Sequence, residues 1–152
     1  MKGVIRRNEK IGKEIEKWAA EQLNGTWVDS QTSPYDVDKP DTLIEVKSCQ
    51  DKTLDKVAYG RRYYQKGRFV IILSSHRELL NKAATQGKDP AYYFVLYHLN
   101  ANDVWIPLDV RLLSWKDVNA KIEQRGKSYT RSQGELKLCN FRWDTIFTQQ
   151  RL

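Results

Sequence analysis

The chain has 152 residues, of which 40% are hydrophobic and 11% aromatic, and this composition is typical of one folded domain. No apolar run approaches the roughly 20 residues of a membrane-spanning helix, and the charged start MKGVIRRNEK lacks the apolar segment of a signal peptide. The two cysteines, Cys49 and Cys139, are too few and too widely separated to indicate a disulfide framework or a zinc site. We therefore expect a single cytoplasmic domain over residues 1–152, without a membrane partner.

The net charge of +7 is unevenly distributed along the sequence. Residues 61–90 hold seven Lys or Arg against two Asp or Glu, and residues 121–152 hold seven against three, whereas residues 31–60 hold six acids and four bases. An acidic island inside a basic protein is typical of a metal site that faces a polyanion. A surface that only keeps a small protein soluble is the alternative explanation of the charge.

The first half of the chain predicts a helix, several strands and a second helix. Residues 8–24 repeat apolar side chains at helical spacing, and Gly25 ends that helix. Short strands are expected near residues 26–30, 35–38 and 43–49. Thr53 has the character of an N-cap for a second helix that runs to about Lys66. The continuous apolar run RFVIILSS, residues 68–75, is typical of a strand covered on both faces.

The second half predicts further strands and helices joined by short loops. Helices are expected over residues 77–84, from Ser114 to about Gln124, and near residues 143–150. Strands are expected over residues 91–99 and 103–108, as a hairpin, and near residues 136–140 in a basic tail. The order of elements predicts an α/β domain with a central mixed β-sheet flanked by helices.

The stretch SPYDVDKPDTLIEVKSC, residues 33–49, predicts a β-hairpin that carries charges inside its strands. The proline of KPDT, residues 39–42, suits the second position of a turn. With these four residues as the loop, the register of the two strands places Asp36 directly across from Glu45. Their Cβ atoms would then lie about 4.5–5.5 Å apart on one face of the sheet.

Two carboxylates in this position repel each other, and a bound divalent cation would turn the repulsion into ligation. Carboxylate oxygens suit Mg²⁺ or Mn²⁺, with waters completing the shell. Because side chains alternate along a strand, Lys47 shares the face of Glu45, where it can orient a nucleophilic water and offset charge on the phosphorus centre. The hairpin therefore predicts phosphodiester hydrolysis, although a Glu-x-Lys pattern is also ordinary on a solvated strand face.

These residues resemble a known superfamily. The helical segment GKEIEKWAAEQL and the strands YDV and LIEVKS, all within residues 9–75, are similar to the PD-(D/E)xK phosphodiesterases. These are the restriction-endonuclease-like nucleases, which include the archaeal Holliday junction resolvases. The resemblance implies a restriction-endonuclease-like fold, with Asp36 as the motif's Asp, Glu45 as its second acid and Lys47 as its lysine. Residues 76–152 show only a general likeness.

The resemblance also implies a helical acid and a main-chain metal ligand. Glu16 fits the superfamily's helical spacing, Glu14 is the alternative, and the carbonyl of Val46 would complete the metal ligands. Tyr35 stands where the name-giving proline would lie. Asp38 and Asp41 are the possible substitutes for Asp36. The literal Pro-Asp of the sequence ends at Asp41, which is too close to the second acid to return along another strand, so Asp36 is preferred.

The resemblance implies a metal-dependent deoxyribonuclease that binds DNA, and we expect an endonuclease. A Holliday junction resolvase, which would need a homodimer, is the first alternative, and a basic nucleic-acid-binding module without chemistry is the second. Phosphate contacts are expected from the cations that follow the hairpin, Arg61, Arg62, Lys66 and Arg68. His76 follows a strand expected beside the site, although a surface or core position explains this histidine better.

Overall fold

The computed structural model describes residues 2–58, 61–125, 130–133 and 136–147. The helices are α1 (Lys2–Gln22), α2 (Leu73–Gln86), α3 (Trp115–Arg125) and α4 (Trp143–Ile146). The strands are β1 (Thr26–Trp27), β2 (Val37–Asp38), β3 (Thr42–Gln50), β4 (Lys52–Ala58), β5 (Arg61–Lys66), β6 (Arg68–Ile72), β7 (Asp89–Leu99), β8 (Trp105–Ser114), β9 (Thr130–Gln133) and β10 (Leu136–Arg142). No helix within these ranges is long and apolar enough to cross a membrane.

Five of the strands form a mixed sheet in the order β1-β2-β3-β7-β8. The strands β3 and β7 are parallel, and the other neighbours in this sheet are antiparallel. A second, antiparallel sheet has the order β6-β10-β9, and β4 pairs with β5 in a hairpin. The predicted α/β fold with a central mixed sheet and flanking helices is therefore confirmed.

The central sheet is covered on both faces around β3 and β7. On one face, Ile15 and Ala19 of α1 pack with Ile44 and Val46 of β3. On the other face, apolar side chains of α2, α3, α4 and the second sheet pack with the alternate residues of β3 and β7. Strands covered in this way are usually continuous apolar runs. The charges inside β3 are therefore exceptional.

Local sequence signals predict several of these elements correctly. α3 begins directly after Ser114, whose hydroxyl accepts the main-chain N–H of Asp117 at 3.0 Å, as an N-cap does. The predicted hairpin of β7 and β8 is present, and β8 continues to Ser114. α1 begins at Lys2, before the predicted residue 8, and the first two short strands have only two residues each.

The predicted helix from Thr53 to Lys66 is wrong. This segment forms the antiparallel strands β4 and β5, with Thr53 paired to Gln65 and Ala58 paired to Arg61. The segment contains Thr, Val and Tyr, which favour strands. Four apolar residues of this segment follow a helical spacing that favours a helix, although they lie in strands: Leu54, Val57, Ala58 and Tyr64. The cations predicted on this helix therefore lie on a two-stranded ribbon.

The predicted strand over residues 68–75 is too long, and the prediction that it is covered on both faces is wrong. β6 ends at Ile72, and the following Leu-Ser-Ser forms the first turn of α2. Side chains of β6 alternate between exposed and buried, since Phe69 and Ile71 are buried whereas Val70 is 40% exposed. The strand pairs with β10 outside the central sheet. This apolar run therefore contains the start of a helix and a strand that is buried on one face only.

Candidate active site

The hairpin of β2 and β3 has the register that the four-residue loop predicts. The ladder pairs Asp38 with Leu43 and Val37 with Ile44, and it ends there. Asp36 lies one residue before the ladder and is not itself paired in it. Asp36 nevertheless lies close to Glu45, whose charge contributes to the raised pKa of Asp36.

Asp36 is held by hydrogen bonds from both sides. Its main-chain N–H donates to the carbonyl of Ile44 at 2.8 Å, and its carbonyl accepts the N–H of Val28 at 2.8 Å. Its carboxylate Oδ2 accepts the main-chain N–H of Val46 at 2.8 Å. The residue is only 9% exposed. The carboxylate is therefore fixed against the edge of β3.

Glu45 and Lys47 alternate with the apolar residues of β3. The Nζ atom of Lys47 lies 3.5 Å from Oε1 of Glu45, and the two side chains are 23% and 16% exposed, respectively. Their neighbours Ile44 and Val46 point to the α1 face, which leaves Glu45 and Lys47 on the other face. The sheet thus brings Asp36, Glu45 and Lys47 together.

Glu16 contacts this cluster from α1, the helix that covers the opposite face of the sheet. Its carboxyl group lies beside Asp36 in the same cleft, and its Oε1 lies 3.5 Å from the indole nitrogen of Trp27. Glu14 instead accepts a hydrogen bond from the indole N–H of Trp105 at 3.0 Å. Of the two helical acids that the sequence offered, the structure places Glu16 beside Asp36.

The three carboxylates lie in surroundings that favour their protonated forms. Burial, followed by the hydrogen bond and charge of Asp36, raises the pKa of Glu16 to about 8. Burial and the charge of Glu45 raise the pKa of Asp36 to about 7. Burial also raises the pKa of Glu45, although the Lys47 ammonium opposes that effect. Perturbed acids of this kind are typical of functional sites.

The cluster lines an open cleft of about 330 Å³. Its walls combine Glu16, Asp36, Glu45 and Lys47 with side chains of the loop after β1 and of α2. Most of the exposed lining is polar, since serines and charged residues predominate. The cleft therefore gives solvent, or a polar ligand, direct access to the four residues.

The N-terminus of α2 opens into the same cleft, a feature that the sequence reasoning missed. Ile72 and Ser75 line the cleft, and the helix begins between them at Leu73. Ile72 occupies the N-cap position with no side-chain cap for the first N–H groups. Free N–H groups at a helix N-terminus attract anions. The Ser-Ser pair before the helical pattern was the available signal, and the prediction of a long strand obscured it.

The oxygen donors around Asp36 match the chemistry of a hard divalent cation. No three His, Cys, Asp or Glu side chains are grouped as a ready metal site within the described ranges, so a cation here would depend on other oxygens as well. The N–H of Val46 points at Asp36, and the N–H and C=O of a strand residue point to the same side. The Val46 carbonyl therefore lies on the Asp36 side of β3 as a further donor.

His76 lies outside this cluster. It is 6% exposed and stacks on Trp115 with ring centroids 4.2 Å apart. Its ring nitrogens lie 2.6 Å from the hydroxyl of Tyr92 and 3.0 Å from Oδ1 of Asn119. Because the Asn119 oxygen can only accept, Nε2 carries the proton and Nδ1 accepts from Tyr92. Burial lowers the pKa of His76, so this histidine forms a neutral link between α2, β7 and α3.

The predicted phosphate-binding cations lie on and beside the hairpin of β4 and β5, residues 52–66, which we call the basic ribbon. These residues include five Lys or Arg and one Asp. Arg61, Lys66 and Arg68 are exposed, whereas the side chain of Arg62 lies outside the described part of the chain. None of the three cations whose side chains the structure describes lines the cleft. The structure thus separates the predicted cations from the acidic cluster.

The base of the basic ribbon is fixed to the rest of the protein. A Cβ atom at Gly67 would lie 1.8 Å from the carbonyl oxygen of Gln50, so only glycine fits beside the end of β3. Lys66 forms an ion pair of 3.0 Å with Asp144 and lies over the ring of Trp143 at 5.3 Å. Burial alone would raise the pKa of Asp144, but hydrogen bonds from Arg142 and Lys66 lower it. The base of the ribbon is therefore anchored at the end of β3, the strand that carries Glu45.

The fold and the cluster together define an α/β protein of the restriction-endonuclease-like class. Residues 3–147 match the model of the PD-(D/E)XK nuclease superfamily domain, and the chain belongs to that superfamily, as its motifs predicted. The match does not distinguish resolvases from other members. No curated protein and no solved structure gives a significant match to the sequence.

Proposed function

We propose that this chain is a metal-dependent endonuclease that cleaves DNA at the cluster of Asp36, Glu45 and Lys47. The observation that carries the proposal is the pair of acids, buried Asp36 and partly buried Glu45, beside a lysine in an open cleft. Opposed carboxylates on one sheet face disfavour folding unless a proton or a cation neutralises them. A nuclease superfamily member has a chemical reason to keep this arrangement, because the substrate and the cation meet there.

The donor set fits Mg²⁺ or Mn²⁺. Asp36, Glu45 and the carbonyl of Val46 would hold the cation, and Glu16 would assist through Asp36. All are oxygen donors, which hard cations prefer, and waters would complete the shell. When bound, the cation supplies Lewis-acid stabilisation of the charge that develops at phosphorus.

The remaining groups of the cleft suit the phosphate itself. The Lys47 ammonium, held by Glu45 at 3.5 Å, would orient the attacking water and stabilise negative charge on the phosphate oxygens. The uncapped first turn of α2 offers main-chain N–H groups to the same phosphate. These positive groups and the acids lie in one cleft, so a phosphodiester can contact both.

The basic ribbon is the proposed docking surface for the DNA backbone. Lys52 and Lys66 lie opposite each other in its ladder, and Arg61 and Arg68 are exposed nearby. Two-stranded ribbons fit the grooves of duplex DNA, and cations on them contact phosphates. Arg62 shares this role by its position in β5. The ribbon follows directly from β3, so a duplex bound along it would extend towards the cleft.

The proposal is tested with a cleavage panel in Mg²⁺ and in Mn²⁺. The substrates are linear duplex, supercoiled circle, single strand, flap, four-way junction and RNA of the same sequence. We expect cuts in the circle, which has no ends, and none after chelation of the metal. Asp36→Asn should abolish cleavage, whereas Asp41→Asn, a neutralisation in the exposed loop of the same hairpin, should not.

Other outcomes would each replace part of the proposal. Cleavage confined to four-way junctions would identify a Holliday junction resolvase. Degradation only from ends would make the chain an exonuclease. Binding without cleavage on every substrate would favour the non-catalytic module. Equal loss of activity in Asp36→Asn and Asp41→Asn would mean that the active site is not centred on Asp36 but lies elsewhere in the hairpin.

A further inference from the structure

The strand β8 forms one edge of the central sheet and exposes an apolar surface. The described residues include eight large apolar side chains that are exposed, and five of them lie between Val104 and Leu112. Ile106, Leu108 and Val110 are 43%, 51% and 38% exposed, respectively. The order of the sheet leaves the outer side of β8 without a neighbouring strand in the described part of the chain. Long apolar edge strands are templates for pairing with another chain.

The main chain at Val110 faces this open side. Its N–H donates to Oδ1 of the preceding Asp109 at 2.8 Å, so this group is turned away from β7. Because the N–H and C=O of a strand residue point to the same side, Val110 offers a donor and an acceptor outward. A second Val110 related by a two-fold axis would replace Asp109 as the acceptor of this N–H and would donate to the carbonyl at the same time.

The sequence around Val110 is self-complementary. It reads Leu108-Asp109-Val110-Arg111-Leu112. In an antiparallel pair centred on Val110, each Asp109 lies opposite the Arg111 of the other copy, and each Leu108 lies opposite a Leu112. Opposite charges and apolar side chains across an antiparallel ladder stabilise the pair. Asp109 and Arg111 are both exposed, and Arg111 also donates to the carbonyl of Ile146, so pairing with a partner's Asp109 would use its remaining N–H groups.

The charges also select this register against its neighbours. Centring the pair on Arg111 or on Asp109 would place like charges against each other on the axis, which disfavours it. Pro107 lacks an N–H, and a bulge leaves Leu108 unpaired with β7, so the regular ladder is short on that side. An apolar groove of about 500 Å³ beside Leu112, lined by Leu80 and Trp115 among others, extends the contact surface.

We infer that β8 is the interface of a homodimer in which two copies pair antiparallel about Val110. The two five-stranded sheets would then join into one continuous sheet. The occupant of the edge is a second copy of this chain, because its charge pattern complements itself. A two-fold contact of this type is closed, so it gives dimers rather than fibres.

Sedimentation velocity and light scattering test the interface through a charge exchange. In a dimer of Asp109→Arg, an arginine lies opposite an arginine at both charge pairs, and in a dimer of Arg111→Asp an aspartate lies opposite an aspartate at both. We therefore expect each variant alone to be monomeric at concentrations where the unchanged protein is dimeric. An equal mixture of the two variants restores both opposite-charge pairs. We expect the mixture to recover dimers, all of them heterodimers. Val70→Lys, which adds a charge at an exposed apolar residue of β6, should leave the dimer intact.

The result does not depend on cleavage, so it stands apart from the proposed function. Arg111 also donates to the carbonyl of Ile146, and thermal unfolding of each variant shows whether its fold is retained. An unchanged protein that is monomeric from micromolar to submillimolar concentration would overturn the inference and leave β8 as the docking edge of a different protein. Single variants that remain dimeric would overturn the interface. A folded mixture that stays monomeric would overturn the register.

Discussion

Two hairpins of this protein bring like charges close together, with different consequences. At the hairpin of β2 and β3, Asp36 lies beside Glu45 at the end of the ladder. In the basic ribbon, Lys52 lies across from Lys66. Like charges on neighbouring strands destabilise a sheet in either case. The two pairs differ in sign and in burial.

Burial determines what each pair can do. Asp36 is 9% exposed and its pKa is raised to about 7, so the acidic pair is neutralised by protons or by a cation. The Lys66 side chain is 47% exposed and pairs with Asp144 at 3.0 Å, and water screens the remaining repulsion. A buried pair is suited to a small ion that fits between its members, whereas an exposed pair is suited to an extended polyanion.

Neutralising the acidic pair should have the largest effect. We expect Asp36→Asn and Glu45→Gln to lower cleavage by more than about a hundredfold, because each removes a charge on which the proposed cation depends. The amide introduced by Asp36→Asn still offers an oxygen to the N–H of Val46, which Asp36→Ala would leave unpaired. Duplex binding in a chelator should be unchanged in both variants. Full activity in either variant would show that the buried pair is not the catalytic site.

Lys47 should matter for the rate and little for binding. Lys47→Met keeps the aliphatic stem and removes the ammonium that lies 3.5 Å from Glu45. We expect cleavage to fall by about a hundredfold, with DNA affinity unchanged in a chelator. Lys13→Met, which removes a cation at the rim of the same cleft, is the matched control and should retain most of the activity. If the two variants lose activity equally, Lys47 contributes only to the general charge of the cleft.

The sequence predicted those parts of the structure that depend on local rules. A four-residue loop determines the register that pairs Val37 with Ile44, and hence brings Asp36 close to Glu45, without reference to the rest of the fold. The N-cap at Ser114 is equally local. The segment from Thr53 to Lys66 was predicted wrongly because its residues suit both a helix and a strand, and only pairing across the ribbon decides between them.

The composition of the cleft could not be predicted in the same way. Glu16 contacts Asp36 from a helix on the opposite face of the sheet. The N-terminus of α2, which reaches the same cleft, follows β6 of the second sheet. The positions of Glu16 and of the α2 N-terminus depend on how whole elements pack together, and the sequence of a single segment does not predict that packing. Spacing left Glu14 and Glu16 as alternatives, and packing separated them, since Glu14 contacts Trp105 instead.

Removing cations from the basic ribbon should weaken binding moderately and change its salt dependence. We expect Lys52→Gln and Arg61→Gln to reduce the slope of log K against log salt by about 0.9 for each phosphate that the variant no longer neutralises. Lys82→Gln removes an exposed cation from α2 and should leave the slope unchanged. Fluorescence anisotropy with labelled duplex in a chelator measures all three. Equal slopes in every variant would mean that the ribbon is not the docking surface.

The smallest expected effect is on stability, and it has a definite sign. The pKa of Glu16 rises from 4.5 to about 8 and that of Asp36 from 3.8 to about 7 on folding. The folded state therefore holds these protons more tightly than the unfolded state, so their stabilising contribution is complete below about pH 4 and is lost as pH rises through 7 to 8. Because Glu16 is half-buried, we expect only about 1–3 kcal/mol in the free energy of unfolding.

Urea unfolding of the metal-free protein between pH 5 and pH 9 should show this decline, and Asp36→Asn should flatten it. His76 is present in both proteins, so the difference between their profiles isolates the acidic cluster. Added Mg²⁺ should restore stability above about pH 7 in the unchanged protein alone, since a cation replaces the protons that are released. Parallel profiles for the two proteins, with and without Mg²⁺, would contradict a buried pair that exchanges protons for a cation.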